Sequence, residues 1–168
     1  EHSETINGFT IRTSGFLECL DKVEEASEWR QRRGVLPRGQ GLGVAASTYI
    51  SGTNYCIYPS EMPQSAVQIC LDRSGRARVF AGVSDLGQGC DTVLAVITAE
   101  ELGVELEDIR VITADTDLCP VDLGAYSSRI TLMAGNACVM AAKSLAQQIR
   151  AVLAEYWSCS ADEIKMAH

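Results

Sequence analysis

The chain has 168 residues, 46% of them hydrophobic and 21% charged, with a formal net charge of -8. That length suits one domain or two small lobes sharing a core, and the even mixing of charged residues argues against wholesale disorder. An acidic surface repels phosphate backbones and makes nucleic acid a poor partner, but a phosphate can still be held locally by backbone N–H groups and one arginine.

Residues 14–33 read as a helix: Ser14 can cap it, and Leu17, Leu20, Val23 and Trp29 recur at roughly helical spacing. Arg30, Arg32 and Arg33 complement the negative end of its dipole, and Gly34 ends it. Residues 41–50 predict a strand of small residues, followed by a Gly/Pro/Asn-rich stretch from 51 to 63. Strands near 65–71 and 76–83 flank the turn Asp72-Arg73-Ser74-Gly75, which predicts a hairpin. A helix over 89–102 ends at Gly103, a short strand spans Ile109 to Thr113, a loop runs from Asp115 to Gly124, and a long helix covers about 130–157. A faint repeat relates Glu101–Val111 to Trp157–Met166, each with a helix end, an acidic pair, an isoleucine, a basic residue and an apolar residue. It suggests two similar strand–helix units on one sheet, although ordinary loop chemistry, including a Ser160/Glu163 capping box, explains it nearly as well.

Two segments carry candidate chemistry. In Asp85-Leu86-Gly87-Gln88-Gly89-Cys90-Asp91-Thr92 a strand gives way to a helix. Gly87 and Gly89 permit a sharp turn and close approach of a ligand, the free amides of the helix start suit an anion, and the Gln88 amide suits a heterocycle edge. The plain alternative is an ordinary turn capped by Asp91 and Thr92. Gly124-Ala125-Tyr126-Ser127-Ser128-Arg129 opens the long helix, with Thr131, Gly135 and Asn136 in its first turns. Small residues and hydroxyls there suit a phosphate, and Arg129 can add a bidentate contact; the alternative is a serine cap beside a surface arginine. The pair of helix starts is suited to clasping a pyrophosphate-containing ligand. Asp115, Thr116, Asp117 and Asp122 read better as Asx-turn residues than as a cation site, because their spacing is not that of an EF-hand.

The seven cysteines, Cys19, Cys56, Cys70, Cys90, Cys119, Cys138 and Cys159, include no C-x-x-C pair and are odd in number. They predict reduced thiols, mostly core filler, in a cytoplasmic protein rather than a zinc site, an iron–sulfur site or a disulfide framework. The only histidines, His2 and His168, stand at the ends, so neither a Ser-His-Asp nor a Cys-His arrangement can be assembled. No apolar run approaches the roughly 18–20 residues of a membrane span, and no signal-peptide layout is present. The missing initial Met and the abrupt end at His168 read as cuts in a longer polypeptide.

Three blocks then carry a resemblance: residues 85–92, Ala114-Asp115-Thr116-Asp117, and Gly124–Arg129 with Ala134-Gly135-Asn136-Ala137. In order and spacing they closely resemble the cofactor-binding core of the xanthine oxidase/aldehyde oxidase family of molybdenum hydroxylases. Phe16–Leu20, Trp29 and Gly41–Ala45 are similar as well, so the likeness covers nearly the whole chain. Within that family, Tyr126–Arg129 and Gly135–Ala137 look most like the 4-hydroxybenzoyl-CoA reductase branch.

The resemblance implies an α+β fold, a mixed sheet with packed helices of the aldehyde oxidase/xanthine dehydrogenase type. Residues 1–63 would form an N-terminal helix and connecting segment, and 64–168 a hairpin plus two strand–helix units. It implies a molybdenum–molybdopterin cofactor, in bacteria usually the cytosine dinucleotide, whose metal is held by the pterin dithiolene rather than by protein Cys or His. The expected contacts are Gly87, Gln88, Gly89, Thr92, Ala125, Tyr126, Ser127, Ser128, Arg129 and Thr131, with Asn136 either a contact or a tie between helices. No catalytic residue falls within the chain, and Cys90 sits where the family favours small residues. Implied partners are other segments of the same large subunit, iron–sulfur and FAD subunits or domains, and a small aromatic, heterocyclic or aldehyde substrate. The fragment is expected to be inactive alone and to self-associate through surface meant to be covered. The competing reading is a non-catalytic α+β scaffold of the same ancestry that binds no cofactor.

Overall fold

A computed structural model describes residues 2–6, 8–49, 51 and 65–166. Most of the 51–63 stretch, the boundary at 63/64 and the final two residues fall outside them. The described residues separate into two compact units, one within residues 2–49 and one formed by 51 and 65–166.

In the first unit, β1 (Ser3–Glu4) pairs antiparallel with β2 (Thr10–Ile11). The expected single helix over 14–33 is two: α1 (Phe16–Ala26) and α2 (Trp29–Arg32). Glu28 breaks it, adopting a left-handed conformation at φ 51°. The break folds the second helix back, so that Arg30 Nε reaches Glu24 Oε1 at 2.6 Å and Arg30 Nη2 reaches Oε2 at 3.1 Å. The Ser14 hydroxyl accepts from the Phe16 amide at 3.4 Å. Residues 41–49 form no strand. The small, apolar sequence suits a sheet, but a strand needs a ladder partner, and none stands beside it among the described residues.

The second unit holds a three-stranded sheet in the order β3 (Val67–Leu71), β4 (Ala77–Ala81), β5 (Ile109–Thr113). β3 and β4 form the expected hairpin, and β4 and β5 run parallel, with Val79 opposite Ile69 on one side and Val111 on the other. Asp72 builds the turn: its Oδ1 accepts from the Ser74 amide at 2.8 Å, the Ser74 hydroxyl at 2.6 Å and the Arg76 amide at 3.2 Å. Gly75 closes it at φ 87°, where a side chain would be strained.

The crossover from β4 to β5 is α3 (Cys90–Leu102), and β5 leads into α4 (Ile130–Trp157). The core lies between sheet and helices: Val79, Ala81, Val83, Leu94, Ala134 and Cys138 are all at most 1% exposed. Burying a residue such as Leu94 contributes about 1.5–3 kcal/mol. Small residues on α4 let it approach α3 closely. A Cβ added at Gly135 would stand 3.3 Å from Ile97 Cδ1, and the Cys138 thiol meets the Thr98 hydroxyl at 3.2 Å.

The faint repeat is present in the backbone. α3 ends on left-handed Gly103 (φ 63°, ψ 48°) and α4 on left-handed Ser158 (φ 54°, ψ 42°). An extended residue follows each, Glu105 and Ser160, then a 3-10 turn, Leu106–Asp108 and Ala161–Glu163, then extended Ile109 and Ile164, with the same spacing throughout. The Ser160/Glu163 capping box forms. Ile109 goes on into β5, whereas Ile164–Met166 form no strand among the described residues. No described helix is long and apolar enough to cross a membrane.

Candidate functional site

Because β4 and β5 are parallel, the segments leaving their carboxyl ends emerge at one edge of the sheet. Residues 82–89 lead from β4 into α3, and residues 114–129 lead from β5 into α4. In open sheets with parallel strands, this edge is where ligand crevices form. The fold thus brings the two expected helix starts together.

In the first segment, Gly87 and Gly89 have φ of 100° and 78°, and a Cβ at either would meet nothing within 4 Å. These glycines meet a backbone requirement and leave open space beside the turn. Asp85 organises the turn. Its Oδ1 accepts from the Gly87 amide at 2.7 Å and the Gly89 amide at 3.4 Å, and its Oδ2 from the Asp91 amide at 3.4 Å. The Gly87 amide above all, with those of Asp91 and Gly89, holds the Asp85 carboxyl below its ordinary range. The chain's own carboxylate therefore fills the amides that the sequence reading offers to an external anion. Gln88 is exposed but turned onto its own loop: its Oε1 accepts from the Leu86 amide, and its Nε2 donates to the Ser84 carbonyl at 3.0 Å. Thr92 is exposed in the first turn of α3. Asp91 does not cap the helix by side chain; it takes the Thr113 hydroxyl from the end of β5.

In the second segment, Asp115 is the turn residue expected, its Oδ1 accepting from the amides of Asp117 at 3.0 Å and Leu118 at 3.2 Å. Ser127 and Ser128 are both left-handed, at φ 51° and 53°, and Gly124 has φ 102°. Left-handed backbone is costly for a residue with a side chain, and consecutive cases mark a segment held by its surroundings. Ser127 is buried, whereas Ser128, Thr131 and Asn136 are exposed, and Ala125 and Tyr126 are partly buried. Asn136 donates to the Leu132 carbonyl of its own helix.

Arg129 lies inside rather than at the surface, with a side chain 0% exposed. Its Nη1 donates to Asp122 Oδ1 and to the Gly124 carbonyl, both at 2.7 Å, and its Nη2 to the Ser65 hydroxyl at 2.8 Å. The guanidinium also lies over the Tyr126 ring, 5.3 Å from its centre.

Asp85, Cys90 and Asp91 gather their ligand atoms within 4.8 Å of one another. The cluster is otherwise engaged: both carboxylates already take hydrogen bonds, and burial, then the charges of Asp91 and Asp85, push the Cys90 thiol up to about 11. Such a thiol is protonated near neutrality and is a poor ligand and nucleophile.

Sequence reasoning missed three contributors, Thr113, Ser65 and Gly82, and gave Asp85, which heads the first candidate segment, no role of its own. A Cβ on Gly82 would run into the Pro120 carbonyl oxygen and approach Asp122 Cβ to 2.9 Å. A glycine directly after a strand was the one visible signal. Asp122 was seen only as a turn residue. Its Oδ1 does accept from the Gly124 amide at 2.8 Å, but its main partner is Arg129.

The molybdopterin cofactor-binding domain family matches residues 19–168. The chain is 36% identical over 150 residues to the xanthine dehydrogenase molybdenum-binding subunit of Escherichia coli O157:H7, covering 86% of this chain and 19% of the relative. It is 38% identical over 152 residues to the gamma subunit of the 6-hydroxypseudooxynicotine dehydrogenase complex of Paenarthrobacter nicotinovorans, covering 90% and 18%. Among solved structures, a Cu,Mo-CO dehydrogenase superposes with a TM-score of 0.55 at 32% identity, over 61% of this chain and 13% of that one. Quinoline 2-oxidoreductase from Pseudomonas putida 86 superposes with a TM-score of 0.63 over 99% of this chain and 22% of that one, a likeness of fold at 24% identity. The chain thus spans about a fifth of the length of these curated relatives. Its sequence, its fold and the two helix starts at one sheet edge agree, and the chain belongs to the molybdopterin cofactor-binding domain family.

Proposed function

We propose that this chain is the part of a molybdenum oxidoreductase's large subunit that grips the pterin cofactor in its dinucleotide form. The observation that carries this is the pairing, at one sheet edge, of two helix starts reached through left-handed turns, with open space where Gly87, Gly89 and Gly124 lack side chains. Such turns let a flat ligand approach the backbone closely without steric hindrance.

The two starts have different tasks. Asp85 already occupies the amides at α3, and Asp91 adds a second negative charge, so a phosphate there meets repulsion. The turn at Gly87, Gln88 and Gly89 suits an uncharged heterocycle edge, with Gln88 exchanging its contacts within the loop for ligand contacts and Thr92 beside it. The pyrophosphate belongs at α4, with the hydroxyls of Ser128 and Thr131, the backbone of Ala125, Tyr126 and Ser127, and the helix dipole. Asn136 stands a turn farther along the same helix.

The bound cofactor would supply oxygen-atom and electron transfer at an activated carbon. The chain's own residues bind and orient it and donate hydrogen bonds to it. Relatives named for xanthine, hypoxanthine and nicotine point to a nitrogen heterocycle or related aromatic or aldehyde substrate, with 4-hydroxybenzoyl-CoA reductase chemistry as a branch alternative. A relative named as one subunit of a dehydrogenase complex supports assembly with electron-carrying subunits, for which iron–sulfur clusters and FAD are the proposed groups. The cytosine dinucleotide form and a cytoplasmic location complete the reading.

Molybdenum and pterin content of the full-length parent subunit, purified from its native host, tests this beside a Gln88→Ala/Ser128→Ala variant. Both side chains are exposed, so the fold should survive. Stoichiometric pterin in the parent and at least a tenfold loss in the variant are expected. An empty parent would leave the non-catalytic scaffold as the better reading.

A further inference from the structure

We propose that the buried Asp122–Arg129 pair is a clamp that sets the backbone of the α4 loop, making both positioning residues rather than ligands of the phosphate. This rests on the cofactor reading above. Three observations carry it. Both side chains are 0% exposed, so the guanidinium cannot touch a ligand at the surface without leaving the interior. Its Nη1 and Nη2 are already directed at three points of the framework around the loop: the Asp122 carboxylate, the Gly124 carbonyl and the Ser65 hydroxyl before β3. Between these anchors stand Ser127 and Ser128, two successive left-handed residues that no glycine relieves.

A buried ion pair is a weak source of stability, because desolvating both charges offsets much of their attraction. Its better-attested use is to specify one conformation among several, and here that conformation is the strained turn whose amides and hydroxyls open α4. Asp122 is placed for this from two sides. Its carboxylate takes the Gly124 amide as well as Arg129. Its backbone passes Gly82 so closely that a Cβ there would lie 3.0 Å from the Asp122 amide nitrogen. The end of β4 is thereby keyed to the start of α4 through one aspartate.

The test turns on sign. If Arg129 binds phosphate and Asp122 merely lies nearby, Asp122→Asn removes a negative charge and should leave inorganic pyrophosphate binding unchanged or tighter. If the pair is a clamp, Asp122→Asn should weaken it at least fivefold, and Arg129→Gln combined with Asp122→Asn should be no worse than the weaker single variant. Titration of inorganic pyrophosphate into the cofactor-stripped full-length parent subunit reads this. Hydrogen exchange at the Gly124 and Ser127–Ile130 amides reads the clamp without any ligand, with faster exchange confined to those amides expected in each variant. Ser65→Ala, which removes a single acceptor of the guanidinium, gives a milder graded loss and serves where a charge variant does not fold. Tighter pyrophosphate binding, or unchanged exchange at these amides, overturns the clamp. A wild-type parent that contains no pterin and binds no pyrophosphate, yet shows the exchange changes, overturns the cofactor reading and leaves the clamp standing.

Discussion

Thr113, the last residue of β5, donates its hydroxyl to the Asp91 carboxylate in the first turn of α3, at 3.1 and 3.2 Å to its two oxygens. This bond ties the end of one parallel strand to the start of the helix that precedes it in sequence. Thr113→Val keeps the shape and strand preference but removes the donor. The expected loss is about 1–2 kcal/mol, since the acceptor is charged and the site partly buried. Denaturant unfolding measures it, and a change under about 0.3 kcal/mol, well below that range, would show the bond to be idle.

Asp85 makes the stability depend on acid. Its folded pKa lies below the ordinary 3.8, so its contribution is present above that value and is lost as pH falls through the lower, folded one. Melting temperatures taken from about pH 5 down to about pH 2 should show a steeper fall for the wild type than for Asp85→Asn. Parallel curves would mean that the turn does not depend on this charge.

The thiols should separate by reactivity. Cys19 and Cys70 are exposed, whereas Cys90 is buried with its thiol pushed up to about 11 by burial and by the neighbouring Asp91 and Asp85. Iodoacetamide near neutral pH is expected to modify Cys19 and Cys70 and to spare Cys90, as followed by peptide mass. Modification of Cys90 as fast as Cys70 would place it outside the core.

The two helix ends predict opposite responses. Gly103 and Ser158 hold the same left-handed position after α3 and α4. Ser158→Gly should stabilise the chain by up to about 1 kcal/mol, and Gly103→Ala should destabilise it by about 1 kcal/mol or more. Thermal denaturation of the pair is decisive, because a shift in the same direction for both would contradict the equivalence of the two ends.

What the sequence could disclose followed the range of each signal. The hairpin turn at Asp72–Gly75 and the glycine stop at Gly103 are local, and the elements appear where they predict. The break at Glu28 was hidden because an ordinary helix-former takes the left-handed position there. Residues 41–49 have strand composition, but composition cannot supply a neighbouring strand. At the site, the helix starts were legible from glycines and serines. The inward course of Arg129 was not, because burial depends on Ser65 and Gly82, which lie far from it in sequence and meet it or its aspartate only in the fold.

The 28 residues of α4 span about 42 Å, roughly twice the reach of α3. Its buried residues run from Ile130 to Ala146, and from 147 to 157 there are none. The helix is therefore two materials in one rod. Near the site its amides should open only when the whole unit unfolds, whereas over its last three turns they need break only local bonds. Solvent deuterium would enter from the Trp157 end and stop near Ala146, so the segment that presents the site is anchored where the chain is least able to breathe.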